Sequence, residues 1–192
     1  MNYGLPTALE VGGKEYEIRS DFRRILDICE AIEDPNLLKE DKAYVAVAIL
    51  YIDHDSIPAE HREEALQKCF WFINGGMEDG PRSGPALVSW KKDIQHIIAP
   101  VNRVMGQEIR AIPYDPATNS GGLHWWTFLS AYMEIGDCLF AQIVRIRSMK
   151  AKGKQLDKID QEWYHSNRHL VDIKQEYTDE ERDFLRSLGA NV

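Results

Sequence analysis

The sequence predicts an all-α single domain over residues 1–192 that carries a short N-terminal β-hairpin. Three observations predict it. Apolar residues recur with helical spacing from Phe22 onward. Strand-like alternation is confined to the stretch around Gly12-Gly13. Helix-capping residues and glycine or proline stops punctuate the periodic segments.

The hairpin comes first. Leu9-Glu10-Val11 and Tyr16-Glu17-Ile18 alternate apolar and polar residues on either side of Gly12-Gly13-Lys14, where glycines supply positive φ angles. A lone hairpin is marginal in water, so it must pack on something. Ser20 or Asp21 caps a first helix with a stripe of Phe22, Ile25, Leu26, Cys29 and Ile32, and Asp34-Pro35 ends it. A second helix covers about Lys39 to Tyr51. A third starts near Pro58, with Asp55 or Ser56 as its cap, and stops at Gly75-Gly76.

Residues 74–85, NGGMEDGPRSGP, are the best linker in the chain. A subdivision there gives hairpin plus helices over 1–73 and helices over 86–192. Leu87 to Met105 is helical again, with Pro100 expected to kink or divide it. Ile109 to Tyr114 reads as extended, and Asp115 to Gly122 as a loop. Leu123 to Ile135 and Asp137 to Arg147 are two strongly apolar helices, the first ended by Gly136 and the second capped by Asp137. Ile159 to about Tyr177 reads as one long polar helix. Thr178-Asp179-Glu180-Glu181 has the form of a capping box opening a last helix, which Gly189 closes.

Composition bounds the function. A chain of 192 residues buries roughly 70% of its unfolded surface, enough for one core. The net charge is −8 and the pI about 5.3, so phosphate backbones and anionic membranes are disfavoured partners. Cys29, Cys69 and Cys138 form no C-x-x-C pair and read as small buried hydrophobes, which suits a reducing cytoplasm. The N-terminus has no secretory signal pattern. The longest wholly apolar run, Ala43 to Ile52, has ten residues, about half of a membrane span.

Catalytic, cofactor and metal templates fail one by one, and the expectation is that the chain is not an enzyme. His165 and His169 share a predicted helix face, but Ser166 stands where a metalloprotease has glutamate, and no third ligand is obvious. Asp53-His54-Asp55 lies in an interhelix loop. The glycines at 75, 76, 80 and 84 make no phosphate loop, and Gly153-Lys154 lacks its partners.

What remains is a partner-binding surface. Residues 1–74 hold 15 acidic and 8 basic side chains, net −7. Residues 75–122 hold 5 and 5; residues 123–158 hold 3 and 6, net +3; residues 159–192 hold 8 and 4, net −4. The basic island is Arg145, Arg147, Lys150, Lys152 and Lys154. It reads either as a solvated helix end meeting the negative end of the dipole or as a docking site for an acidic helix. Trp125 and Trp126 sit about 100° apart on a helix. Trp126 joins Phe128, Leu129, Phe140, Ile143 and Ile146 in the expected core, and Trp125 is the expected partner-facing ring.

Four blocks resemble one family: NYGLPTALEVGGKEYEIRSDFR at 2–23, QKCFWFINGG at 67–76, LHWWTFLSAYMEIGD at 123–137 and FAQIVRIRSMKAKGKQLDK at 140–158. It is the bacteriophage family named after gene product fifteen, of tailed phages and prophages of Gram-positive bacteria. The resemblance spans nearly the whole chain. In size and gene placement, just before the tape-measure gene, such proteins are similar to tail assembly chaperones. The resemblance therefore implies a protein of the host cytoplasm that coats the tape-measure protein, keeps it soluble, works beside other tail assembly proteins and stays out of the mature virion. It offers no catalytic residues to carry over; no cofactor, nucleic acid or membrane is expected, and self-association is left open. The alternative is a structural tail or connector component retained in the virion.

Overall fold

A computed structural model describes residues 4–77 and 85–173, together with 178, 180, 181 and 186. Strands β1 (Ala8–Val11) and β2 (Lys14–Glu17) form an antiparallel hairpin, with Leu9 facing Tyr16 and Val11 facing Lys14. Gly12 and Gly13 turn the chain at φ +58° and +77°, the two positive values a type I′ turn needs. A Cβ at Gly12 would meet the His61 ring at 2.6 Å. The hairpin's anchor is a short bridge: Ile18 pairs with Tyr51, and Arg19 N–H donates to the Leu50 carbonyl. The Arg19 guanidinium also donates to the Ala48, Ile49 and Tyr51 carbonyls at the end of the second helix. Those carbonyls have no partner within the helix, so a cation suits them.

Helix α1 (Phe22–Glu33) is capped by Asp21, whose carboxylate accepts the Arg23 N–H. It packs on α2 (Lys39–Leu50), and α2 packs on α3 (Arg62–Ile73). A 3-10 turn, Ala59–His61, precedes α3, and neither Asp55 nor Ser56 caps it. The Ser56 hydroxyl instead donates to the Asp53 carbonyl inside its own turn. Helix α4 (Trp90–Met105) begins at the Ser89 cap, runs unbroken through Pro100, and packs on α1.

Three further differences follow from local hydrogen bonding. Residues 109–114 are not extended throughout: a 3-10 turn, Ile109–Ala111, leads into a second small hairpin of β3 (Tyr114–Asp115) and β4 (Ser120–Gly121). Helices α5 (Trp125–Met133) and α6 (Leu139–Ala151) are separate, but Cys138 rather than Asp137 caps α6, its Sγ accepting the Ala141 N–H. The long polar helix is broken. Helix α7 (Lys158–Ser166) ends where the Asn167 amide donates to the Trp163 carbonyl, and a single turn, α8 (Arg168–Val171), follows. An asparagine that competes for backbone partners is a poor interior helix residue. Where the sequence predicts the last helix to open, Glu181 N–H donates to the Thr178 hydroxyl and Thr178 N–H to the Glu181 carboxylate, the reciprocal bonds of a capping box. Gly189 lies outside the described residues.

One cluster of buried apolar side chains takes members from both sides of residues 74–85, from Leu9, Ile25 and Phe72 to Ile97, Phe128 and Phe140. Phe22 stacks on Phe128 at 5.2 Å, and Phe128 on Trp125 at 5.3 Å, so α1 and α5 meet through aromatic faces. The fold is mainly α-helical with an N-terminal hairpin. No described helix is long and apolar enough to cross a membrane.

Candidate partner-binding site

The site is built on the C-terminal end of α6, and the structure divides the basic island in two. Three of its five cations are paired with acids of the same chain, Arg147 buried and Arg145 and Lys150 at the surface. Arg145 makes a two-pronged contact with Asp160, on the first turn of α7, one prong at 2.9 Å. That hydrogen-bonded guanidinium holds the Asp160 carboxyl below its ordinary value. Arg147 is buried. Its two terminal nitrogens grip Asp93 of α4 at 2.5 and 3.0 Å, and its remaining N–H groups donate to the Leu87, Leu170 and Val171 carbonyls. All five guanidinium donors are thus used.

Lys150 donates to the Tyr164 hydroxyl and to Asp172, both at 2.6 Å, with its ammonium 3.9 Å from the Tyr164 ring centre. Asp172 also accepts from Arg168 and Tyr164. Burial raises this carboxyl, and the bonds from Lys150, Arg168 and Tyr164 outweigh it, leaving it at about 2.

The other two cations point outward from a turn made for them. Gly153 sits at φ +65° just past α6. Gly153 N–H donates to the Lys150 carbonyl and Lys154 N–H to the Met149 carbonyl, the paired bonds of a Schellman ending. Lys152 and Lys154 flank that glycine and are exposed, as is Lys158 at the start of α7. Ile159, beside Lys158, is 78% exposed. The outward surface is therefore a turn with three exposed lysines, the exposed α7 cap Asp157, and one exposed aliphatic side chain, Ile159, at its end.

The tryptophan assignment is reversed. Trp125 is 1% exposed, donates its indole N–H to the Ile73 carbonyl at 2.8 Å, and belongs to the core. Trp126 is the half-buried ring. It packs edge-on against Trp71 at 5.4 Å and donates to the Phe72 carbonyl. Position parity on a helix does not say which of two adjacent residues faces inward when both neighbours are apolar. Phe128, Phe140, Ile143 and Ile146 are buried as expected, and Leu129 packs against the core from its edge.

His165 and His169 fall on opposite sides of the Asn167 break, both exposed. Among the described residues no group of three or more His, Cys, Asp or Glu side chains is placed to hold a metal ion. Cys29 and Cys69 are buried free thiols, each pushed up to about 12 by burial. Asp93, the partner that decides the fate of Arg147, carries no signal in the sequence beyond its place in the first turn of α4.

No curated protein and no solved structure matches the chain. The family model described as Bacteriophage Gp15 protein matches residues 1–83. That stretch holds the hairpin, α1, α2 and α3 and includes the blocks at 2–23 and 67–76; those at 123–137 and 140–158 lie beyond it. Over residues 1–83 the chain is similar to the bacteriophage Gp15 protein family.

Proposed function

We propose that this protein is a tail assembly chaperone that binds helical segments of the phage tape-measure protein and keeps them soluble in the host cytoplasm, without catalysis and without entering the mature virion. One observation carries the reading. The stretch from Lys152 to Ile159 exposes three lysines and one aliphatic side chain on a chain of net charge −8. Such a surface suits an acidic amphipathic helix: the charges steer and orient, and the apolar contact holds. A reversible coat needs surfaces of this kind and no active site. The similarity of residues 1–83 to a bacteriophage family supports a phage client.

The test is co-expression of tape-measure fragments with and without this chain, read as soluble client, followed by mass spectrometry of washed particles. The reading expects rescued solubility and absence from particles. No rescue, together with stoichiometric presence in particles, replaces it with a structural tail or connector role.

A further inference from the structure

A cavity of about 1240 Å³ opens between the C-terminal end of α1, the start of α4 and the α7–α8 corner. Small-molecule pockets run to roughly 300–1000 Å³, so this one has room for a peptide segment. Its walls are unlike the rest of an acidic chain. His165 ends α7, and Arg168 and His169 stand on α8, all three exposed. Lys91 and Lys92 line the α4 side, Lys91 near Glu30 and Lys92 donating to the Asp172 carbonyl, and Val88 and Ile173 add apolar surface.

The acids on the same walls are already bonded. Glu33 accepts the Ser89 hydroxyl at 2.5 Å and the Trp90 N–H at 2.9 Å. Asp172 is held by Lys150, Arg168 and Tyr164. The α4 N-terminus is likewise closed to an incoming anion, because Glu33, Asp93 and the Ser89 hydroxyl accept the N–H groups there.

We infer that this cavity is a docking site for an acidic amphipathic helix of the tape-measure client. The inference rests on the chaperone reading and says where the client goes. Helix α7 joins the two surfaces: Lys158 and Ile159 open it and His165 closes its last turn. At 1.5 Å per residue they lie only about 10 Å apart along the axis, within the span of one bound helix. The turn at Lys152–Lys158 steers the client's charge, and the cavity takes its apolar face against Val88 and Ile173, with carboxylates meeting His165, Arg168 and His169.

The experiment uses the full chain and a labelled synthetic helix bearing glutamates on one face and leucines on the other, with a lysine-for-glutamate copy as control. Binding is read by fluorescence anisotropy. The ring signals of His165 and His169 are read by NMR and assigned with His165→Gln and His169→Gln. The acidic probe is expected to shift both rings, and the His165→Glu/His169→Glu variant, folded by circular dichroism, to bind it about tenfold more weakly. The lysine copy is expected to do neither.

Probe binding that moves neither ring and survives the double substitution within about twofold overturns the cavity assignment; client rescue by wild type then still upholds the chaperone reading. Probe binding at the cavity without client rescue supports the site and removes the chaperone reading. A double variant that loses self-association by light scattering, with probe affinity unchanged, assigns the cavity to a second copy and also overturns the inference.

Discussion

Arg147 on α6 and Asp93 on α4 meet as a bidentate ion pair at 2.5 and 3.0 Å, with side chains only 5% and 1% exposed. The same guanidinium ties down the Leu170 and Val171 carbonyls of α8 and the Leu87 carbonyl before α4. One side chain therefore joins α6 to Asp93 of α4, 54 residues before it, and to the Leu170 carbonyl of α8, 23 residues after it. Truncating Arg147 leaves a buried carboxylate without its cation. Arg147→Ala is expected to cost about 3–5 kcal/mol, which for a chain this long lowers the melting temperature by roughly 10 °C. Asp93→Ala should do comparable harm. Calorimetry or urea titration of the two variants checks it; melting within a degree or two of wild type would show the pair to be dispensable.

Trp125 and Trp126 make opposite forecasts. Trp125 is enclosed by Phe128 and Trp90, so Trp125→Ala should cost about 3–5 kcal/mol through the cavity it leaves. Phe128→Ala and Phe140→Ala belong in the same range. Trp126 is half-buried and loses fewer contacts, so Trp126→Ala should be clearly milder. Denaturant melts of the four variants rank them, and a more damaging Trp126→Ala would reverse the assignment.

The Asp172 hub makes a pH prediction. Its carboxyl lies at about 2 in the folded chain, below the ordinary value of 3.8. In the window between, the unfolded chain binds the proton and the folded chain does not. The hub's stabilisation is therefore present above 3.8 and is lost as pH falls from there toward 2. Asp172→Asn should flatten that part of the stability–pH curve and leave its shape near neutrality unchanged. Urea midpoints measured from pH 5 down to 2 check it; equal slopes for wild type and variant would remove Asp172 as a contributor.

The elements were legible where local chemistry is decisive. The Gly12-Gly13 turn, the Asp21 cap, the Gly75-Gly76 stop and the Thr178–Glu181 capping box each rest on residues within a few positions of one another. Long-range pairing was not legible. Arg145, Arg147 and Lys150 look like one cationic patch with Lys152 and Lys154, because the acids that neutralise them, Asp160, Asp93 and Asp172, lie up to 54 positions away. Asn167 hid the break between α7 and α8, since a polar residue on a polar helix leaves the pattern unchanged. The cavity at His165 and His169 was equally hidden, because its opposite wall comes from α4.

The outward cations give the functional prediction. Lys152, Lys154 and Lys158 are exposed, and a Lys152→Glu/Lys154→Glu/Lys158→Glu variant removes no buried contact. It should melt near wild type and hold co-expressed tape-measure fragments more weakly. If the turn steers an acidic helix, wild-type binding should also weaken as salt rises beyond about 0.15 M, where exposed charges are screened over about 8 Å. Reversal of Arg147 would not be a clean test, because the buried Asp93 pair would break and unfold the site. Pull-down and soluble client yield, each across a salt series, are the measurements. A triple variant that binds and solubilises the client as well as wild type would show the turn to be only a solvated helix end, with the cations serving the negative end of α6 and nothing beyond it.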